Sequence, residues 1–542
     1  MASHQTDSKT TQEQHGLGYE LPWLLPALLA GFGIFYFYLS SHSYPSFGAG
    51  LYFQIAEHIG ENGYALPKTI PGYTADGVPF AYPPLMFYAL AVILDVTHLS
   101  PFTIARFLPG LVTVAYLVPL YFFVRDLSGS RPQASLATLI VAVSPQILQW
   151  HISAGGIVRA PAMLFALTGI YSGLHLFRER DVRWLVPSLI AFSLTILTHP
   201  MYTIFFAMSF FLLYVRFDRS LRGFLYGSLV GVGGVVLTAP WWSAVLSMHG
   251  STVFAAAAGT HGGIGGVIPT VKHLFKQQLN EPPFLSVWYM IPAVGCLWLV
   301  LKREFFLPAW LFVVVAAIGE PRFVFLVGAL VSARFVFDGI ARWLKDGALV
   351  SLNREKVVTF SVVLLVTVGL SGGTLYATGG LNAHAGSPSL PQFVDDGDVE
   401  AMAWAESNTS PSAEFVVLGD AAEWFPQQTD RTILVGPWGV EWKGHSQYRS
   451  QLRHFRQLSR CHSSYCLTGR LMEIRVHPDY VYVPKGTYTI RGMQMSQPNT
   501  MMATMLSSSQ YRLVFENDGV AIFEVADGWH PTTSGPTGPL PT

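Results

Sequence analysis

Between Ser41 and Pro101 a long segment carries four carboxylates, Glu57, Glu61, Asp76 and Asp95. Asp76 sits in a Gly-flanked stretch, Thr74-Ala75-Asp76-Gly77. A carboxylate on such a loop can face a cleft and take the proton of a hydroxyl nucleophile, which makes Asp76 the first catalytic candidate; an ordinary Asp-Gly turn is the competing reading. Glu57 lies where Leu51, Ile55 and Ile59 recur at helical spacing. It is the second catalytic candidate, or a solvated helix face. Glu61 reads as a helix-end charge. His42 could serve as a base or as a structural residue at the membrane edge. Arg159 and Arg322 stand at ends of apolar runs, where a guanidinium offers a two-pronged grip on an anion. Each could instead anchor a helix end, and Arg322 has Glu320 close by to pair with. His199, before Pro200, is a weaker binding candidate, as are His249 and His261. Trp241-Trp242 reads as an interfacial anchor, with sugar stacking as the alternative.

The elements that must position these groups are membrane helices. Of 542 residues, 51% are hydrophobic and 12% charged, about half the charged share of a soluble globular protein. The apolar residues cluster between Leu21 and Tyr376 in long runs nearly free of charge, the mark of many spans followed by a separate domain. A formal net charge of zero argues for no nucleic-acid partner. Runs near 21–40, 104–124, 133–150, 160–177, 184–199, 200–215, 223–247, 285–301, 305–319, 321–337 and 357–377 predict about eleven transmembrane helices. Residues 83–96 start at a Pro-Pro pair and suit a helix lying in the interface. Counted this way, Arg125, Arg131, Arg178, Arg180, Arg183, Arg216, Arg219, Arg222, Lys302, Arg303, Arg342, Lys345, Arg354 and Lys356 share the cytoplasmic side with the N-terminus. Lys68, Arg159, Lys272, Lys276 and Arg322 fall outside. Counting 83–96 as a span would reverse this bias.

The expected organisation is a cytoplasmic tail (1–20), a transmembrane domain (21–378) with large outer loops at 41–101 and 249–283, a linker (379–391), an extracytoplasmic α/β domain (392–526) and a disordered tail (527–542). In the α/β domain, 414–418, 431–435, 480–483, 511–516 and 520–525 read as strands, with Asn517-Asp518-Gly519 as a hairpin turn. Trp424, Trp438 and Trp442 with Glu423 and Glu441 form an aromatic and acidic patch, read either as core or as a glycan-stacking surface. Cys461 and Cys466 could close a short disulfide loop outside the cell, a zinc pair being the rival reading.

The first outer loop runs from a short helix through Glu61-Asn62-Gly63 and a Pro-rich stretch to Tyr82-Pro83-Pro84-Leu85 before an apolar helix. Ser144-Pro145, Thr198-His199-Pro200 and Ala239-Pro240-Trp241-Trp242 follow as landmarks. In this order and topology the chain resembles the GT-C superfamily of membrane glycosyltransferases over about residues 20–380. The resemblance implies an inverting transfer of sugar from a polyprenyl-phosphate donor to a glycan, lipid or protein acceptor on the outer face. A loop carboxylate would act as base and Arg159 or Arg322 would hold the phosphate. Membrane lipids are further partners, and a divalent metal ion is the one cofactor left open. The chain departs from the pattern in having no Asp or Glu in Ser41–Gly50, directly after the first span. It also has Trp438-Gly-Val-Glu441-Trp442 in place of the Trp-Trp-Asp motif of the oligosaccharyltransferase branch, so that branch is not supported. A transporter or flippase of lipid-linked glycans, or an inactive glycan-binding relative, are the competing functions; neither internal repeats nor midplane charges favour a transporter.

Overall fold

The computed structural model describes residues 17–260, 286–340, 354–381 and 389–526. Most of the N-terminal tail, most of the second loop with His261, part of the linker and the C-terminal tail lie outside the described residues. The chain runs through α1 (Leu17–Ser41), α2 (Gly50–Glu61), α3 (Leu85–Thr97), α4 (Pro101–Ala115), α5 (Leu117–Ser128), α6 (Arg131–Val143), α7 (Pro145–Leu148), α8 (Gly156–Arg178), α9 (Leu185–Ile196), α10 (Pro200–Phe217), α11 (Leu221–Leu237), α12 (Ala239–His249) and α13 (Thr252–Thr260). Helices Ser286–Leu301, Phe306–Ala317, Pro321–Arg334 and Arg354–Ala377 complete the bundle.

Every apolar run expected to span carries a helix. Among the described residues six helices are long and apolar enough to cross a bilayer alone, or seven when α11 and α12, bent by 52°, count as one. Polar caps and prolines set several starts. Ser100, Ser130 and Ser220 accept the backbone N–H of Thr103, Gln133 and Gly223, and Pro101, Pro200 and Pro321 open their helices. The 83–96 run forms α3, whose 13 residues measure about 20 Å against a hydrocarbon core of about 30 Å. Its apolar face packs on α2 rather than into the bundle.

One end of the bundle is basic and closed by ion pairs. Glu20 at the start of α1 meets Arg131 at 3.0 Å and Arg125 at 3.3 Å and accepts the Tyr121 hydroxyl at 2.7 Å. At the far end of α1, His42 spends its ring within the protein: Nδ1 lies 3.1 Å from the Tyr38 carbonyl and Nε2 3.1 Å from that of Leu390. It ties the first span to the chain leaving the last one.

The C-terminal region forms a five-stranded mixed sheet of order β4-β3-β5-β9-β8, with β3 (Glu414–Val417), β4 (Thr432–Ile433), β5 (Tyr480–Pro484), β8 (Tyr511–Glu516) and β9 (Val520–Val525), while β6 (Thr487–Ile490) and β7 (Met493–Ser496) pair with each other beside it. These match the five strands expected from short runs rich in β-branched and aromatic residues bounded by turn signals. Asn517 Oδ1 accepts the N–H groups of Gly519 and Val520 and makes the β8–β9 hairpin. Cys461 and Cys466 are joined by a disulfide between helices His445–Ser459 and Ser464–Ile474.

The first loop and this sheet are not separate bodies. Phe53, Ile55, Tyr73, Phe80 and Phe87 of the loop share a single core with Phe415, Trp424, Phe425 and Trp438. Thr74 N–H donates to the Ile433 carbonyl at 2.9 Å and Ile433 N–H to Gly72 at 2.8 Å, so the loop covers the exposed edge of β4. A two-stranded ribbon, β1 (Thr69–Ile70) with β2 (Val78–Pro79), carries the rest of the loop back to α3.

Candidate functional site

Where the loop, the bundle and the sheet domain meet, charged groups collect from three parts of the chain. Arg159, on the first turn of α8, stacks over Trp150 at 4.9 Å and donates to the Gly155 carbonyl at 2.7 Å. It is deep in the molecule yet partly exposed, within electrostatic reach of Tyr52, Tyr82, Tyr202 and Glu320. Arg322 is the second residue of the helix Pro321–Arg334, the last but one of the bundle helices named above. It pairs with Glu320 at 3.1 Å, lies over Tyr202 at 5.6 Å, and keeps a buried Nε with no acceptor among the described residues. Tyr202 in turn meets His151 Nε2 at 2.7 Å, and His151 Nδ1 meets Tyr116 at 3.1 Å. The two arginines thus flank one buried chain of hydrogen bonds. His199 caps α10 through the Met201 N–H and stands edge-on to Tyr82 and Tyr202.

The sheet domain faces this array with two carboxylates. Glu423 ends the 3-10 helix Asp420–Glu423. Asp420, buried, accepts the N–H groups of Arg491 and Gly492 at 2.8 and 2.7 Å, which holds that turn in place. Tyr73 of the first loop donates to the Glu423 carbonyl at 2.6 Å, and Trp424 Nε1 donates to the Phe47 carbonyl at 3.3 Å. The approach is close: a Cβ on Gly48 would displace the Glu423 carboxyl group, and one on Gly50 would meet the Glu423 backbone carbonyl oxygen. Burial pushes the Glu423 carboxyl up to about 8, against the pull of Arg491 and, more weakly, Arg159. Trp438 lies beside it with Nε1 short of hydrogen-bond geometry. Glu441, in the turn Val440–Lys443, is likewise pushed up to about 7 by burial. Its neighbour Trp442 packs edge-on to Tyr82 at 5.3 Å.

The two loop carboxylates are placed differently from each other. Asp76 is exposed in the β1–β2 turn, where Thr74 Oγ1 donates to the Gly77 carbonyl, with Lys443 the nearby cation. Glu57 faces the sheet domain, where Gln427 donates to it at 2.8 Å; burial pushes its carboxyl up to about 7. Trp241 sits at the start of α12 against Phe254, its buried Nε1 lacking an acceptor, whereas Trp242 donates to the Val235 carbonyl at 2.9 Å. Buried polar atoms without partners are rare. Trp438 Nε1, Trp241 Nε1, Arg322 Nε and Gln54 Oε1 are among them, in the sheet domain, on α12, on the helix Pro321–Arg334 and on α2. Among the described residues no three of His, Cys, Asp and Glu are grouped to hold a metal ion.

The raised carboxyls make the fold pH-sensitive in a definite direction. The folded protein keeps the Glu423 proton from its ordinary 4.5 up to about 8, where the unfolded chain has lost it. The stability it contributes is therefore present below pH 4.5 and lost as pH rises through that window. After discounting for solvent that reaches the group, the loss is on the order of 1–3 kcal/mol. Glu423→Gln should melt above wild type at pH 8 and level with it near pH 4.5; equal melting at both would contradict the burial read here.

A family profile described as dolichyl-phosphate-mannose-protein mannosyltransferase matches residues 81–243. A sequence search of curated proteins finds no match. Among solved structures, the archaeal oligosaccharyltransferase AglB from Archaeoglobus fulgidus, in complex with an inhibitory peptide and a dolichol-phosphate, superposes with a TM-score of 0.55. The two are 14% identical over 92% of this chain and 80% of that one. ArnT from Cupriavidus metallidurans in the apo state gives 0.51 at 14% identity, over 94% and 98% of the two chains. The chain has the GT-C fold. Arabinofuranosyltransferase AftD from Mycobacteria shares it at a TM-score of 0.53 and 15% identity, this chain spanning 41% of that one. AglB has also been determined with Zn and sulfate. At these identities the likeness is one of fold, and it agrees with the loop order and helix landmarks legible in the sequence.

Proposed function

We propose that this GT-C chain is a membrane glycosyltransferase that moves a sugar from a polyprenyl-phosphate carrier to a glycan, lipid or protein acceptor on the extracytoplasmic face. One observation carries the reading. Arg159 on the bundle side lies within electrostatic reach of Glu423 on the domain side, and Arg322 stands over Tyr202, which Arg159 also reaches. Cations suit a phosphate whose charge grows as it leaves, and a carboxylate suits the proton of an attacking hydroxyl. Attack from the side opposite the phosphate inverts the anomeric centre. The family profile and the dolichol-phosphate in the AglB complex support a lipid phosphate as the leaving group.

The test is to incubate the purified protein with dolichyl-phosphate mannose or undecaprenyl-phosphate mannose, with and without a lipid and glycan extract of its native membrane. Released lipid phosphate is the readout. Release that depends on the protein and rises with extract is expected. Movement of intact carrier across a vesicle bilayer with no bond broken would favour a flippase.

The sidedness follows from the basic loops. Reporter fusions after Arg222 and after Asn382 should report opposite sides of the membrane, the second one outside. Both on one side would overturn the arrangement.

A further inference from the structure

A carboxylate is missing from Ser41–Gly50, directly after the first span, but the space over that segment is not empty of one. The Glu423 carboxyl lies against Gly48 so closely that a Cβ there would displace it, and its backbone carbonyl lies against Gly50. Two glycines in the loop and one glutamate in the distant domain are complementary shapes. The carboxylate oxygens accept no hydrogen bond in hydrogen-bond geometry from the described residues, although the backbone that carries them is held by Asp420, Tyr73 and Trp424. The carboxyl group is placed by that backbone, with Arg491 its stronger cationic neighbour, Trp438 beside it and Arg159 more weakly felt, and burying it costs stability.

We propose that Glu423, supplied by the C-terminal domain, is the general base of the transfer reaction. The proposal rests on the glycosyltransferase reading above. In the step, the Glu423 carboxylate takes the proton of the acceptor hydroxyl as that oxygen bonds to the anomeric carbon. The bond from the anomeric carbon to the phosphate oxygen breaks, its electron pair leaving on the lipid phosphate beside Arg159. Glu423 returns its proton to solvent after product leaves. The loop's own carboxylates are placed differently: Glu57 is bonded to Gln427, Asp95 accepts the Tyr64 hydroxyl at 2.5 Å, Asp76 is on an exposed turn, and Glu61 is exposed at a helix end. Separately, a base that titrates near the working pH is well matched to proton transfer, and Glu423 does so.

The test measures kcat and KM for dolichyl-phosphate mannose from pH 6 to 9 in wild type, Glu423→Gln, Asp76→Asn and Glu57→Gln, with binding of dolichyl phosphate and melting temperature as checks on folding. Glu423→Gln should lower kcat at least a hundredfold, leave KM and dolichyl-phosphate binding within about threefold, and abolish a rise of kcat with pH that wild type should show near pH 8. The other two should stay within about fivefold of wild type. A Glu423→Gln protein turning over within fivefold of wild type overturns the proposal and leaves the glycosyltransferase reading standing. So does a hundredfold loss in either of the other two without one in Glu423→Gln. Wild-type protein that releases no dolichyl phosphate from any donor sinks both. If Glu423→Gln melts early, the wild-type profile decides, and a kcat flat between pH 6 and 9 overturns the assignment.

Discussion

Replacing Arg159 by alanine is expected to lower kcat/KM for a polyprenyl-phosphate sugar by about 10²–10³, the usual loss when one preorganised charge stabiliser is removed from an enclosed site. The guanidinium is held by Trp150 beneath it and by the Gly155 carbonyl, so it needs no reorganisation as the phosphate gains charge. Enclosure strengthens each electrostatic contact relative to water. Arg159→Lys keeps the charge and loses both the flat stacking face and the two-pronged grip, and should recover only part of the rate. The measurement is lipid-phosphate release together with equilibrium binding of dolichyl phosphate. Arg159→Ala within threefold of wild type in both would remove Arg159 from the site and leave Arg322 as the cation to test.

Gly50→Ala should cost nearly as much through geometry alone. A Cβ there would overlap the carbonyl oxygen of Glu423 and come within 2.8 Å of Trp424 Cα. Both are backbone atoms in a shared core, so no rotamer change relieves the clash. The loop and the domain must separate, at a cost of about 1–3 kcal/mol as for other overpacked cores. Glu423 moves with that displacement, and turnover should fall at least tenfold. Gly60→Ala, in the same helix, is the control: its Cβ would meet nothing nearer than 3.7 Å, and alanine favours the helix by about 1 kcal/mol. A Gly50→Ala protein with wild-type melting and turnover would mean that the loop and domain do not dock as described.

Much of this architecture is legible in the chain itself. Apolar runs, Ser and Pro at helix starts, and basic residues gathered in alternate loops identify the helices because a bilayer penalises every unpaired backbone group and every stray charge. The sheet strands and the Asn517-Asp518-Gly519 hairpin follow from local period and turn chemistry, which act over a few residues. The pair Cys461 and Cys466 is likewise local, five positions apart.

The site is another matter. Glu423 and Glu441 read in the sequence as one side of an aromatic patch, with nothing to link them to a loop some 370 residues earlier. The one hint is negative: the stretch after the first span has glycines where a carboxylate is expected, and glycine is what a close backbone approach requires. His42 shows the converse. Its type and place suggested chemistry, yet its ring is buried with its nitrogens 3.1 Å from the backbone carbonyls of Tyr38 and Leu390. The membrane helices, the strands and the order of landmarks are written in the chain, because they depend on nearest neighbours and on the solvent around them. Which carboxylate lies over the glycines after the first span is settled by a core shared between residues far apart in the chain, and hydrophobic burial leaves no periodic trace of its partner.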